Sequence, residues 1–203
     1  MLSKTNHADS IYYPRINYYE MTSTDSRVIL THYPTYQQTT DYSCGPAIVL
    51  TVLNYFGETN FDELKLMKIM ESKPSIGTSL SNMVRFFKDL GWNVQSSLET
   101  PQFKDENEFQ KFIMKTLSDG KPIMVENVDW GGHWRVIIGY DSIGTEDNFE
   151  DDVLILVDPY DVSDHCQDGY VIDSFSKFFS SWFDHNMLPK EESEQPWLVV
   201  SPK

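Results

Sequence analysis

The chain has 203 residues and a formal net charge of −15. That length predicts a single domain that buries roughly 70% of the surface of its unfolded chain. So strong a negative charge argues against nucleic acid and against an anionic membrane as partners, and we expect neither. The two cysteines form no disulfide framework and no zinc-ligand pattern, so we expect no metal and no other cofactor.

The first 27 residues form a tyrosine-rich arm without a clear period. Such an aromatic segment is unusual for a disordered tail, so we expect it to lie against the domain of residues 28–203. An inhibitory segment that covers a functional site is the alternative. No signal peptide and no apolar run of membrane-spanning length is apparent, which predicts a cytoplasmic protein.

Helical patterns precede strand patterns along the chain. A strand at 27–31 leads to helices over about 44–56, 60–70, 79–90 and 106–117, with a strand at 92–96 after the third helix. A capping box, Asn60 to Glu63, opens the second helix. Strands follow at 122–127, 133–140 and 153–157, then a helix over 174–183 capped by Asp173, and a last strand at 197–200. This order predicts an α+β fold, with a helical N-terminal half packed on a C-terminal antiparallel sheet.

The first helix begins at a cysteine. Cys44 stands two residues before Pro46, which suits the first turn of a helix, and an apolar run continues to Gly57 at the helix end. Free N–H groups and the positive end of the helix dipole favour a thiolate there. A lone cysteine is more often a small core residue. Two features favour a nucleophile instead: Gly45 permits close approach, and a loop can bring the Gln38 amide beside the thiol as an oxyanion donor.

His133 is the candidate base, because it alone of the five histidines begins a strand directly after a glycine pair. His165 is the alternative. Asp158 ends an apolar strand and can hydrogen-bond the imidazole, which fixes its tautomer. Asp141 is excluded as the orienting residue because an extended strand places it roughly 26 Å from His133. Asp129 lies in a turn that we expect to be flexible, so Asp158 keeps the role.

The loop of residues 158–168 invites a calcium-site interpretation because it also holds Asp161 and Asp164. The spacing does not match a twelve-residue calcium loop. We therefore expect a solvated acidic loop without a metal.

Three motifs resemble those of the papain-like cysteine peptidases. Within that group, the chain is most similar over residues 28–183 to the bacteriocin-leader-processing peptidases and their stand-alone relatives. The resemblance implies a papain-like α+β fold, a Cys–His–Asp site and a glutamine in the oxyanion hole. Arg135 departs from the pattern, since relatives usually carry an aliphatic residue there. The motifs are Gln38-(x5)-Cys44-Gly45-Pro46-Ala47, Gly132-His133-Trp134-Arg135 and Val157-Asp158-Pro159-Tyr160.

Together these features predict thiol-dependent hydrolysis of a peptide or related amide bond, with a peptide or protein as substrate. Two alternatives stay open. Papain-like folds also support acyl transfer and deamidation, and a binding domain could keep the motif without activity. The sequence indicates neither the cleavage specificity nor the oligomeric state.

Overall fold

The structure is a computed structural model that describes residues 16–145, 148–163 and 166–203. The helices in these ranges are α1 (Cys44–Tyr55), α2 (Glu63–Ile69), α3 (Leu80–Asp89), α4 (Glu106–Ser118) and α5 (Phe175–Ser180). The strands are β1 (Arg27–Ile29), β2 (Asn93–Ser96), β3 (Ile123–Asn127), β4 (His133–Asp141), β5 (Val153–Val157), β6 (Tyr170–Ser174) and β7 (Trp197–Ser201).

The strands form one antiparallel sheet in the order β2-β7-β3-β4-β5-β6. Strand β4 is its longest member and is buried along its whole length. Its first half pairs with β3 and its last residues pair with β1, while β5 lies along its other edge. The expected α+β fold, with helices packed on a C-terminal antiparallel sheet, is confirmed.

Helix α1 packs against β4 and α2. Every residue from Cys44 to Leu53 is buried, as the nearly unbroken apolar sequence predicts. Burying one Val, Leu or Ile side chain is worth about 1.5–3 kcal/mol, so this helix is strongly held in place. Its buried hydroxyl, on Thr51, donates to the Ile48 carbonyl at 2.8 Å. The first residue of α1 is therefore fixed relative to the sheet.

Two predicted helix starts are wrong. The N-cap of α2 is Asp62, which accepts from Lys65 N at 2.8 Å, so the capping box from Asn60 to Glu63 does not form. Asp173 does not cap α5, because it belongs to β6, a strand that the sequence pattern did not indicate. Ser174 takes the cap position instead.

The described part of the N-terminal arm packs on the domain through Tyr18. This side chain is buried, and its ring lies 5.8 Å from that of Tyr170. Residues 1–15 lie outside the described ranges, so an inhibitory arm stays a hypothesis. Within the described residues, no helix is both long enough and apolar enough to cross a membrane.

Candidate active site

Cys44 is the first residue of α1 and is buried. The preceding residue, Ser43, is the N-cap, but its side chain makes no capping bond to the helix. The Ser43 hydroxyl donates to the Thr40 carbonyl at 3.0 Å instead. The first turn also contains no acidic residue. The free N–H groups and the positive end of the helix dipole are thus left facing the cysteine.

Gly45 allows α1 to begin in close contact with the loop before α3. A Cβ atom at this position would lie 2.8 Å from the Thr78 Cβ, which is too close for a real contact. The Thr78 carbonyl in turn accepts from the Trp134 indole at 2.9 Å, which ties the loop to β4. A side chain at position 45 would therefore displace Cys44 relative to the sheet.

His133 is buried at the start of β4, and its ring is hydrogen-bonded to Asp158. The Nε2 atom lies 2.7 Å from Asp158 Oδ1. The nearby thiol of Cys44 raises the pKa of this ring, as Asp158 does. Because Nε2 contacts Asp158, Nδ1 is the ring nitrogen left for another partner. The structure thus brings His133 and Asp158 into contact, with Cys44 near enough to act on the same ring.

The glycine pair before His133 is required by both conformation and space. Gly131 and Gly132 have φ values of +85° and +117°, a region that L side chains rarely adopt. A Cβ atom on Gly132 would also collide with the Asp184 carboxylate. The turn that places His133 therefore favours glycine at both positions and leaves no room for a side chain at position 132.

Asp158 is held by more than the histidine. Its Oδ1 atom also accepts from the backbone N–H groups of Tyr160 and Asp161, at 2.8 and 3.1 Å. Asp161 is 1% exposed, and its Oδ2 accepts from Gly169 N at 2.7 Å. Because these carboxylates are buried and close the loop internally, the prediction of a solvated acidic loop is wrong for them. Asp164 lies outside the described residues.

No group of His, Cys, Asp and Glu side chains within the described ranges could hold a metal ion.

The electrostatics favour a charged His133–Asp158 pair. Burial lowers the pKa of His133, but the hydrogen bonds and negative charges of Asp158 and Cys44 outweigh it and raise that pKa to about 9. Burial has the opposite effect on Asp158, whose pKa it raises. The hydrogen bond from His133 outweighs burial, so the pKa of Asp158 is lowered overall. At neutral pH the ring is therefore an imidazolium beside a carboxylate.

Gln38 lies in the loop that connects β1 to α1. Its Nε2 donates to the Thr40 carbonyl at 2.7 Å, which leaves one amide hydrogen for another acceptor. Its Oε1 is buried without a hydrogen-bond partner among the described residues. The backbone N–H of Gln38 donates to the Pro159 carbonyl at 2.8 Å. The loop of Gln38 is therefore attached directly to the loop that carries Asp158.

The rival residues have other partners. Asp141 pairs with Arg27 at 3.1 Å, at the far end of β4. Asp129 accepts from Arg135 at 3.1 Å and from the Asn127 amide at 2.9 Å. His165 lies outside the described residues.

Arg135, the departure from the family pattern, is a buried cation. Its Nη2 donates to Asn127 Oδ1, Asp129 Oδ2 and Asp173 Oδ2 at 3.0, 3.1 and 3.3 Å. Its guanidinium also lies 5.9 Å from the centre of the Phe178 ring. These contacts fasten the turn before His133 to β6. Alternation along a strand puts Arg135 on the same face of β4 as His133.

A buried carboxyl group beside the nucleophile was not found from the sequence. Glu126 lies in β3 and is 3% exposed. Burial raises its pKa well above the usual range, and the nearby Cys44, Asp184 and Glu192 raise it further. A glutamate directly after the apolar run 123–125, within the same predicted strand, was the available signal. These surroundings favour the protonated form of Glu126.

The fold of this chain is that of known papain-like peptidase domains. The peptidase domain of Streptococcus ComA, described as a bifunctional ABC transporter involved in quorum sensing, superimposes with a TM-score of 0.57. It is 18% identical, and the match covers 85% of this chain and all of that domain. A C39-like peptidase from Bacillus anthracis gives a TM-score of 0.60 at 15% identity, covering 88% of this chain and 99% of the other. At these identities the likeness establishes the fold alone.

The family assignment has separate support. The sequence model of the Peptidase_C39 like family matches residues 30–185. The chain belongs to that family. At the level of family and fold it is a papain-like cysteine peptidase. No curated protein matches the chain.

Proposed function

We propose that the protein hydrolyses peptide or related amide bonds, with Cys44 as the nucleophile and His133 as the acid and base. The observation that carries the proposal is the buried His133 ring, whose Nε2 is hydrogen-bonded to Asp158 and whose pKa is raised by both Asp158 and the nearby Cys44. A nucleophile in contact with a base that is itself oriented by a third group is the arrangement that covalent catalysis requires. The family supports a peptide or protein as substrate.

In the first half of the reaction, the Cys44 thiolate attacks the carbonyl carbon and a C–S bond forms. The His133 imidazolium then gives its proton to the amide nitrogen, the C–N bond breaks and the amine leaves. A His133 pKa of about 9 keeps the ring protonated near neutral pH, which is the form this step needs. The Asp158 carboxylate stabilises that positive charge and fixes the ring orientation.

In the second half, water attacks the thioester and gives a proton to the neutral His133. The carboxylic acid leaves, and the thiolate and imidazolium are restored. Both halves pass through a tetrahedral oxyanion. We assign its donors to the Cys44 backbone N–H and to the amide hydrogen of Gln38 that does not bind Thr40. A donor of this kind is worth about 2.7–4 kcal/mol to the transition state.

Alkylation at pH 6 tests the ion pair directly. Iodoacetamide should modify Cys44 much faster than Cys166, because the helix N-terminus and a protonated His133 stabilise the Cys44 thiolate. Mass spectrometry of tryptic peptides measures both rates in one sample. Cys166→Ser is the matched control and should label as the wild type does, whereas His133→Ala should label slowly. Equal and slow modification of both cysteines would contradict the ion pair.

Product analysis tests the reaction. The chain should cleave casein or a mixed peptide library, and Cys44→Ala should abolish the cleavage. Added glycinamide separates hydrolysis from acyl transfer, because a transferase would join the acyl product to the amine. Cleavage that persists in Cys44→Ala would overturn the proposal. A Cys44 that neither labels nor cleaves would favour a binding domain.

A further inference from the structure

The loop of Gln38 is attached to the rest of the molecule by three successive backbone N–H groups. Gln38 N donates to the Pro159 carbonyl at 2.8 Å, next to Asp158. Thr40 N donates to Ser43 Oγ at 3.1 Å, next to Cys44. The first bond holds the loop of Gln38 against the loop of Asp158, the proposed orienting residue. The second holds it against the residue that precedes the nucleophile. The N–H between them has a different kind of partner.

That partner is the side chain of Glu63, the first residue of α2. Its Oε1 accepts from Thr39 N at 2.9 Å, and its Oε2 accepts from the Tyr36 hydroxyl at 3.2 Å. The carboxylate thus contacts the loop on both sides of Gln38. Glu63 is 2% exposed. Acidic side chains are rarely buried to that degree unless both oxygens have partners, as they do here.

The helix itself does not need this carboxylate as a cap. Asp62, the neighbouring residue, is the N-cap of α2 and accepts from Lys65 N at 2.8 Å. The Glu63 side chain leaves the helix and reaches the loop. Because the peptide group of Thr39 is joined directly to Gln38, moving that peptide also moves the Gln38 side chain.

We infer that Glu63 is a positioning residue, which holds the loop of Gln38 so that the amide can donate to the oxyanion. This inference rests on the proposed function, in which Gln38 is that donor. Loss of the Glu63 carboxylate would leave Cys44 and His133 in contact but would free the Thr39 peptide. The predicted defect is therefore confined to reactions of Cys44 that form an oxyanion.

Two small reagents separate these reactions without knowledge of the natural substrate. p-Nitrophenyl acetate acylates the thiolate through a tetrahedral oxyanion, which then expels p-nitrophenolate and leaves a thioester. Iodoacetamide reacts by displacement of iodide at a CH₂ carbon and forms no oxyanion. The ratio of the two rates therefore reports oxyanion stabilisation, since a change in the thiolate population moves both rates together.

In the full chain, Gln38→Ala should slow acylation by about 10²–10³-fold. Glu63→Ala should slow it by about ten- to hundredfold, because a misplaced group loses most of its contribution. Both variants should keep the wild-type alkylation rate. In the double variant, acylation should be as slow as in Gln38→Ala alone, since Glu63 acts only through Gln38.

Asp62→Ala is the matched control. It removes the true N-cap of α2 and should lower the thermal midpoint without changing the ratio of the two rates. Glu63→Asp keeps the charge and the helix start but is one methylene too short to reach Thr39. It should therefore behave like Glu63→Ala, and it decides the question if the alanine variant does not fold.

The outcomes separate the two proposals. If Gln38→Ala acylates at the wild-type rate, the oxyanion role in the proposed function is wrong. If Gln38→Ala is slow but Glu63→Asp has the wild-type ratio, the inference on Glu63 alone is wrong. Additive effects in the double variant would likewise overturn it, because Glu63 would then act independently of Gln38.

Discussion

Two buried carboxyl groups lie close to the Cys44–His133 pair, and their pKa values are shifted in opposite directions. Asp158 is 7% exposed and accepts hydrogen bonds from the His133 ring and from two backbone N–H groups. Glu126 is 3% exposed, and its Oε2 has no geometric hydrogen-bond partner among the described residues. Burial raises the pKa of both groups. The donors lower that of Asp158 overall, while the neighbouring negative charges raise that of Glu126 further.

The difference shows that burial alone does not set the charge of a side chain. Asp158 receives a cationic ring and oriented N–H groups, which favour the ionised form. Glu126 faces Asp184, Glu192 and the thiol, which favour the protonated form. The region of Asp158 therefore supplies negative charge to His133. The region of Glu126 avoids adding a negative charge beside the nucleophile.

The largest expected effect is on turnover when Asp158 is removed. Asp158→Ala should lower kcat for peptide cleavage by about 10²–10⁴-fold, the usual contribution of acid–base catalysis. Asp158→Asn keeps an oxygen acceptor but not the charge. It should lower kcat less and leave the fold intact. Steady-state kinetics and circular dichroism measure both. Wild-type kcat in Asp158→Ala would mean that another residue orients His133.

The next effect is on the titration of His133. NMR of ¹⁵N-histidine-labelled protein should give a pKa of about 9 for this ring. Peptide cleavage should fall as the pH rises through that value, because His133 must be protonated to release the amine. Asp158→Asn and Cys44→Ala should each lower the pKa, since both partners raise it in the wild type. An unchanged pKa in Asp158→Asn would contradict the carboxylate–imidazolium pair.

The two carboxyl groups should give opposite dependences of stability on pH. The lowered pKa of Asp158 contributes stability above the unfolded value of 3.8, and this is lost as the pH falls through the folded value. The raised pKa of Glu126 does not reduce the free energy of unfolding below pH 4.5. It reduces that free energy increasingly as the pH rises above this value.

Urea unfolding between pH 3 and 9 measures this contrast. Relative to wild type, Asp158→Asn should be less stable at pH 7, and this difference should shrink toward the acid end. Glu126→Gln should gain in relative stability toward alkaline pH. Parallel curves for the two variants would contradict the assignment of opposite charge states.

The smallest expected effect is on the activity of Glu126→Gln. The amide is neutral, as the protonated carboxyl is, so kcat at pH 7 should stay within about threefold of wild type, a free-energy change under 1 kcal/mol. Glu126→Asp is the matched variant that keeps the acid but moves it. A large loss of kcat in Glu126→Gln would mean that the carboxyl proton takes part in the reaction.

Several features could be predicted because each depends on neighbours in the sequence. An apolar run between Pro46 and Gly57 specifies a buried helix. Because Pro46 marks the first turn of that helix, Cys44 lies at the positive end of the helix dipole. A pair of glycines before a strand indicates a turn with unusual φ, which the structure shows at Gly131 and Gly132. The contact of His133 with Asp158 could also be predicted, because the family motifs and the ends of the predicted strands indicated the same two residues.

Other features were decided by contacts between residues that are far apart in the chain. Glu63 matched a local capping box, yet its side chain contacts Thr39. Strand β6 was not predicted, because its pairing with β5 and the bond from Arg135 to Asp173 depend on the assembled sheet.

The charge state of Glu126 likewise follows from the approach of Asp184 and Cys44. A sequence pattern records the period and the local turns of the backbone. The partner of a buried polar side chain is chosen only when packing removes water and leaves that group with whichever neighbours the fold supplies.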